Sequence, residues 1–149
     1  MPADIESNRR HVEARALVEQ SKFEEAEVML ENDRSVEAEI LRTDIFWGAK
    51  DWARLTTSIR RILGDGWRRN EALTALQRLN LIRMSIAMTF VEDRAGLIEM
   101  RRRYGNQMIS GDFANAFEML TNDQELSGRE IGTIAGQIAG VEKLQSFMR

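Results

Sequence analysis

The sequence predicts an all-α protein, and three observations carry that expectation. Apolar residues recur three and four positions apart, which is the helical period. Nothing alternates with period two for long, and β-branched residues are sparse. Cap and turn residues fall where the periodic segments stop. Together they predict about seven to eight helices forming one compact unit over residues 1–149.

The first helix is expected from about Ser7 to Gln20, with Val12, Ala16, Leu17 and Val18 as its apolar positions. After Ser21-Lys22 a second runs from Phe23 to about Asn32, with Phe23, Ala26, Met29 and Leu30 inward. Ser35 is a suitable N-cap for a third over Val36 to Gly48, which carries Ile40, Leu41, Ile45, Phe46 and Trp47. Asp51 caps a fourth, Trp52 to Leu63, with Leu55, Ile59 and Ile62. Gly64-Asp65-Gly66 is the clearest turn signal.

Asn70 is read as the cap of a long helix reaching Phe90. Leu73, Leu76, Leu79, Ile82, Ile86 and Phe90 fill one side, and Leu81, Met84 and Met88 another. So wide an apolar band predicts a helix packed on two sides. Arg94 to Tyr104 is a short helix ended by Gly105. Asp112 is expected to cap Phe113 to Leu120. Ser127-Gly128-Arg129-Glu130 has capping-box spacing before a last helix, about Gly128 to Phe147.

Composition excludes several functions. No cysteine is present, so there is no disulfide framework, thiolate metal site or thiol nucleophile. The one histidine, His11, cannot build a His-rich metal site. Glu24-Glu25 and Glu92-Asp93 are neighbours in sequence and point in different directions on a helix, so they are not acid–base dyads. No phosphate-binding glycine loop, nucleophile elbow or His-Glu-x-x-His motif occurs. These absences predict a non-enzyme with no cofactor and no metal. Met29, Met84, Met88, Met100 and Met119 read as core filling. The N-terminus has early acids and no apolar core segment, and no run of about 18 apolar residues exists. The default expectation is a cytoplasmic protein with no membrane insertion, unless the chain is part of a longer exported protein.

The first four helices form two pairs, about residues 7–33 and 36–63, that match at an offset of 29 residues. Leu17 answers to Phe46, Phe23 to Trp52, Ala26 to Leu55 and Leu30 to Ile59. One pair cannot bury both its faces, so stacked pairs share a core and wind into a superhelix. Leu17, Phe23, Ala26 and Leu30, with Ala14 upstream, resemble the tetratricopeptide repeat. The second copy departs from it, with Leu55 at a small-residue position and Thr43 where the family prefers Ala or Gly. Both copies are shorter than the family's repeat and lack its closing proline. The segments Met100–Met108 and Gly111–Thr121, the Lys50-Asp51-Trp52 step and the terminus around Phe147 are similar to the C-terminal region of large bacterial tetratricopeptide-repeat proteins of unassigned function.

That resemblance implies a right-handed α-α superhelix of helix hairpins that binds or scaffolds another protein. It also implies a longer array, with upstream repeats packing on the first helix. In such arrays the first helix of each pair lines a concave groove for a peptide. By position the lining is His11, Arg15, Val18 and Glu19, then Glu37, Ile40, Asp44 and Trp47. Trp47 is the expected anchor if exposed, and a core residue beside Phe46 if not. Only Arg15 could serve a carboxylate clamp, which counts against that mode.

Two further features stand out. The net charge of −3 is the sum of unlike segments. Residues 1–40 carry −6, 41–49 zero, 50–103 +6 and 104–149 −3. Eleven of the twelve bases in the central band are arginines, including Arg60-Arg61, Arg68-Arg69 and Arg101-Arg102-Arg103. Arginine favours bidentate and stacking contacts. The band either pairs with acids of neighbouring helices or takes an acidic protein segment, with nucleic acid the less favoured partner. In the last helix Gly128, Gly132, Gly136 and Gly140 recur every four residues. Each interior glycine costs about 1 kcal/mol relative to alanine, so the ladder predicts close approach by another helix. That partner is either the body of the same chain or a second copy in a homodimer seam.

Overall fold

The computed structural model describes residues 3–69, 71–122 and 129–138. It contains α1 (Ala3–Glu19), α2 (Phe23–Met29), α3 (Val36–Ala49), α4 (Trp52–Leu63), α5 (Ala75–Phe90), α6 (Arg94–Tyr104) and α7 (Ala114–Thr121). Short 3-10 turns occupy Gly66–Arg69 and Gly105–Met108. Residues 129–138 are also helical, and no strand occurs among the described residues. The fold is all-α. The chain divides into two compact units, Met1–Asp65 and Gly66–Arg149, so the boundary falls inside the Gly64-Asp65-Gly66 turn.

In the first unit α1 packs on α2, α3 on α4, and α3 also on α1 and α2. Ser35 and Asp51 cap α3 and α4, their side chains accepting from the backbone N–H of Ala38 and Arg54. Arg42 closes the end of α2, donating to the carbonyls of Leu30 (2.6 Å) and Asp33 (2.5 Å). The Leu30 carbonyl, at the helix end, also accepts the Asp33 N–H, so Arg42 fastens the stretch by which the chain leaves α2.

The same turn closes three hairpins. Ser21, Lys50 and Glu92 each adopt the left-handed conformation, with φ of 60, 57 and 59°. Each donates its N–H three residues back, to Val18, Trp47 and Thr89. The next residue donates five back, Lys22 to Leu17 (2.8 Å), Asp51 to Phe46 (2.9 Å) and Asp93 to Met88 (2.8 Å). This double closure satisfies the orphan carbonyls and turns the chain into the next helix. The α5–α6 hairpin shares this turn and part of the register: Ala14, Thr43 and Ser85 are buried, as are Ala26, Leu55 and Leu97, whereas Arg94 and Arg101 stand where the first two hairpins carry Phe23 and Trp52, and Leu30 and Ile59. Gly48 sits where Phe23 of α2 lies against α3, since a Cβ there would come 2.4 Å from the ring.

In the second unit α5 is buried at every position from Leu79 to Met88, in keeping with its wide apolar band. It packs on α6 and α7. Several boundaries differ from the sequence reading. The long helix begins at Ala75, because Thr74 and Gln77 satisfy each other's backbone N–H groups at 3.1 and 2.8 Å. Residue 70 lies outside the described residues, and Leu73 precedes the helix. Asp112 does not cap α7. Phe113 stands there in the left-handed conformation with no side-chain cap. Asp112 instead presents its carbonyl to Arg78.

Some apolar assignments also move. Val12 is 62 % exposed and Phe90 51 %, while His11 and Ala14 supply the buried positions of α1. Met119 is exposed, whereas Met84, Met88, Met100 and Met108 are core. Among the described residues, a Cβ at Gly132 or Gly136 would meet nothing within 4 Å, and Ile134 and Ile138 are the buried positions of this helix. Gly128, Gly140 and the Ser127 cap lie outside the described residues.

Candidate functional site

The positions expected to line a groove lie on α1 and α3, the first helices of adjacent hairpins in the first unit. Their register matches pairwise: His11 with Ile40, Arg15 with Asp44, Val18 with Trp47. Arg15, Glu19 and Glu37 are exposed, and Val18, Ile40, Asp44 and Trp47 are half-buried. His11 is the exception. It is buried, and its Nε2 lies 2.6 Å from Asp33 Oδ2, so it joins α1 to the α2–α3 connection rather than offering itself to a ligand. Trp47 is neither a free anchor nor core. Its ring meets Trp52 edge-on, with centroids 5.8 Å apart and planes at 66°.

Asp33 is the most perturbed group of this unit. The Ser35 backbone N–H (2.9 Å) and hydroxyl, with His11, hold its carboxyl at about 2. All three favour the charged form. Glu24-Glu25 begin α2, and Glu92-Asp93 form a hairpin turn in which Asp93 accepts from Gly96 N–H. Among the described residues no group of three or more His, Asp or Glu could hold a metal ion. No helix there is long and apolar enough to cross a membrane.

The arginine band divides between the two units. Arg60 and Arg61 end α4, both exposed, and Arg61 approaches Glu39 at 3.7 Å. Arg54 bonds Asp51 and Glu27, and its guanidinium lies 4.5 Å from the Phe46 ring centroid. In the second unit Arg78 is structural. It donates to the carbonyls of Gln107 (3.2 Å), Ser110 (2.6 Å) and Asp112 (3.1 Å).

Arg101, Arg102 and Arg103 fan out from the last turn of α6. Arg101 reaches across to Glu118 of α7 at 2.9 Å. Arg102 grips Glu99 with two N–H groups, Nε to Oε2 at 3.0 Å and Nη2 to Oε1 at 2.5 Å. Arg103 adds a third bond to Glu99 Oε1 at 2.7 Å. Arg102 first, and Arg103 after it, lower the Glu99 pKa. Arg103 also lies 4.8 Å from the Trp67 ring centroid, and Arg68 5.1 Å from the same ring. The 3-10 turn carrying Trp67 thus meets the end of α6. Trp67 was not among the sequence candidates. Its place directly before Arg68-Arg69 was the one available signal, and the meeting with Arg103 is invisible at that sequence separation.

Beside Arg101 an open groove of about 480 Å³ is floored by Met108 and Phe117 and rimmed by Asn106, Asn115 and Glu118. No protein-family model matches this chain, and neither a curated protein nor a solved structure matches it.

Proposed function

We propose that the chain is a non-catalytic protein-interaction or scaffolding module, whose hairpins α1–α2 and α3–α4 stack as a right-handed superhelix of the tetratricopeptide type. One observation carries this reading: the hairpins repeat the same left-handed turn and the same buried register at positions 14, 43 and 85 and at 26, 55 and 97. Repetition of one packing unit gives neighbouring helices matched positions, and matched positions on adjacent first helices make an extended surface. Arg15, Glu19, Glu37 and Asp44 supply its charges, and Val18, Ile40 and Trp47 its apolar strip. Its partner is a protein segment of mixed charge.

A photo-crosslinking residue placed at Arg15 or Glu37 tests this. It is expected to capture one and the same protein in the cells that make the chain. A crosslinker at Val28, 68 % exposed on α2, is expected not to capture it. Equal capture from all three positions, or none from Arg15 and Glu37, overturns the assignment.

A further inference from the structure

We propose that the Trp67–Arg103 face of the second unit docks an acidic peptide segment of a partner protein, whose carboxylates take over guanidinium groups now held by Glu99. This deepens the protein-interaction reading and rests on it, but it uses a different surface from α1 and α3.

The geometry already displays the chemistry it would bind. Glu99 receives three N–H bonds from two arginines, two of them the parallel fork of Arg102. Planar bidentate recognition of carboxylate is what a guanidinium does better than an ammonium. The pairing is local and wet: the Arg102 and Arg103 side chains are 66 and 41 % exposed and Glu99 is 38 % exposed. Ion pairs of this kind contribute little to stability, so an incoming carboxylate replaces Glu99 at small cost.

Guanidinium groups gather at the ring. Arg102 and Arg103 share the carboxylate of Glu99, Arg68 lies over the same indole, and the neighbouring Arg101 pairs with Glu118. Trp67 holds Arg103 in place through its ring face, which reduces the ordering needed on binding.

A carboxylate partner fits better than a nucleic acid. The cluster offers few guanidiniums, and those of Arg102 and Arg103 are already in carboxylate geometry.

The test uses Trp67 as its own reporter. The chain has three tryptophans, so Trp47→Phe with Trp52→Phe leaves Trp67 as the only indole. A synthetic Glu/Asp-rich peptide is titrated in, beside its Gln/Asn counterpart and a short single-stranded oligonucleotide. The acidic peptide is expected to shift Trp67 emission saturably while the Gln/Asn peptide does not. Arg102→Gln with Arg103→Gln is expected to weaken binding by about tenfold or more, and Glu99→Gln to strengthen it several-fold. Unchanged circular-dichroism melting confirms that these exposed variants fold. No saturable shift, indifference to the arginine changes, or tighter binding of the oligonucleotide overturns the proposal. Capture from Arg15 and Glu37 is read independently, so failure of this face and failure of the protein-interaction reading are distinguished.

Discussion

His11 Nε2 lies 2.6 Å from Asp33 Oδ2, which ties the middle of α1 to the connection between α2 and α3. Both side chains are only 10 % exposed. Asp33 uses its other oxygen to accept the Ser35 N–H, and Ser35 in turn caps α3. One carboxylate therefore joins three helices of the first unit.

This junction makes the first unit acid-labile. The Asp33 pKa is lowered from 3.8 to about 2. A lowered folded-state pKa stabilises the fold above the unfolded value, and that contribution disappears as pH falls from about 4 through about 2. The loss is about 2 kcal/mol. Asp33→Asn is expected to be less stable than wild type at pH 7, with the gap closing near pH 2. His11→Ala, which removes one partner of a buried bond, is expected to cost about 1–3 kcal/mol at pH 7. Thermal melts across pH check both. A difference between wild type and Asp33→Asn that stays constant from pH 7 to 2 would count against the junction.

The recurring turn yields a stabilising substitution. Ser21, Lys50 and Glu92 each place a side chain at positive φ, where the left-handed conformation costs a residue with Cβ about 1–2 kcal/mol. Glycine avoids that cost but loses more backbone entropy on folding. Lys50→Gly is expected to raise stability by about 0.5–1 kcal/mol, seen as a higher denaturant midpoint with an unchanged slope. Lys50→Val is expected to lower it, since a β-branched residue fits that conformation worst.

Local chemistry made much of the fold legible in the sequence. Ser35 and Asp51 are caps with one obvious helix to serve, and α3 and α4 begin where they indicate. Gly64-Asp65-Gly66 marks the place where the chain divides. What escaped depends on reciprocity or distance. Thr74 caps α5 because Gln77 answers it, a pairing outcompeted on paper by the stronger cap former Asn70. His11 is polar by type, yet Asp33 satisfies it and it fills a core position that Val12 was expected to take. The third hairpin was hidden because arginines stand at positions 94 and 101, where the first two hairpins carry apolar residues. Trp67 and Arg103 meet only through the path of the chain between them.

Two glycines with opposite surroundings give opposite expectations. Adding a Cβ at Gly48 places it 2.4 Å from the Phe23 ring, so the ring or the helices it joins must shift. Gly48→Ala is expected to cost about 1–3 kcal/mol. At Gly136 nothing among the described residues lies within 4 Å, so Gly136→Ala gains helix propensity without a clash, about 0.5–1 kcal/mol. Chemical denaturation of both variants settles the signs. Destabilisation by Gly136→Ala would mean that its face is covered in solution, and a concentration-dependent midpoint would identify the cover as a second copy.

Arg78 is a brace, and a lysine cannot replace it. Its guanidinium spans the carbonyls of Gln107, Ser110 and Asp112 and reaches the Met108 sulfur at 3.4 Å. These groups come from the 3-10 turn and the bend that separates α6 from α7. The bend includes Gly111 at φ 87°, where a side chain is both strained and opposed by the Arg78 guanidinium. A planar fork satisfies several carbonyls in one fixed geometry, whereas an ammonium offers a single point. Hydrogen bonds to charged groups contribute about 1.5–3 kcal/mol each before the ordering cost of the side chain is met. Arg78→Lys is expected to lose about 1–2 kcal/mol and Arg78→Ala about 2–4. The loss should be local, with faster amide hydrogen exchange across residues 107–112 and little change in α1–α4. Uniform acceleration over both units would show that Arg78 braces far more than this bend.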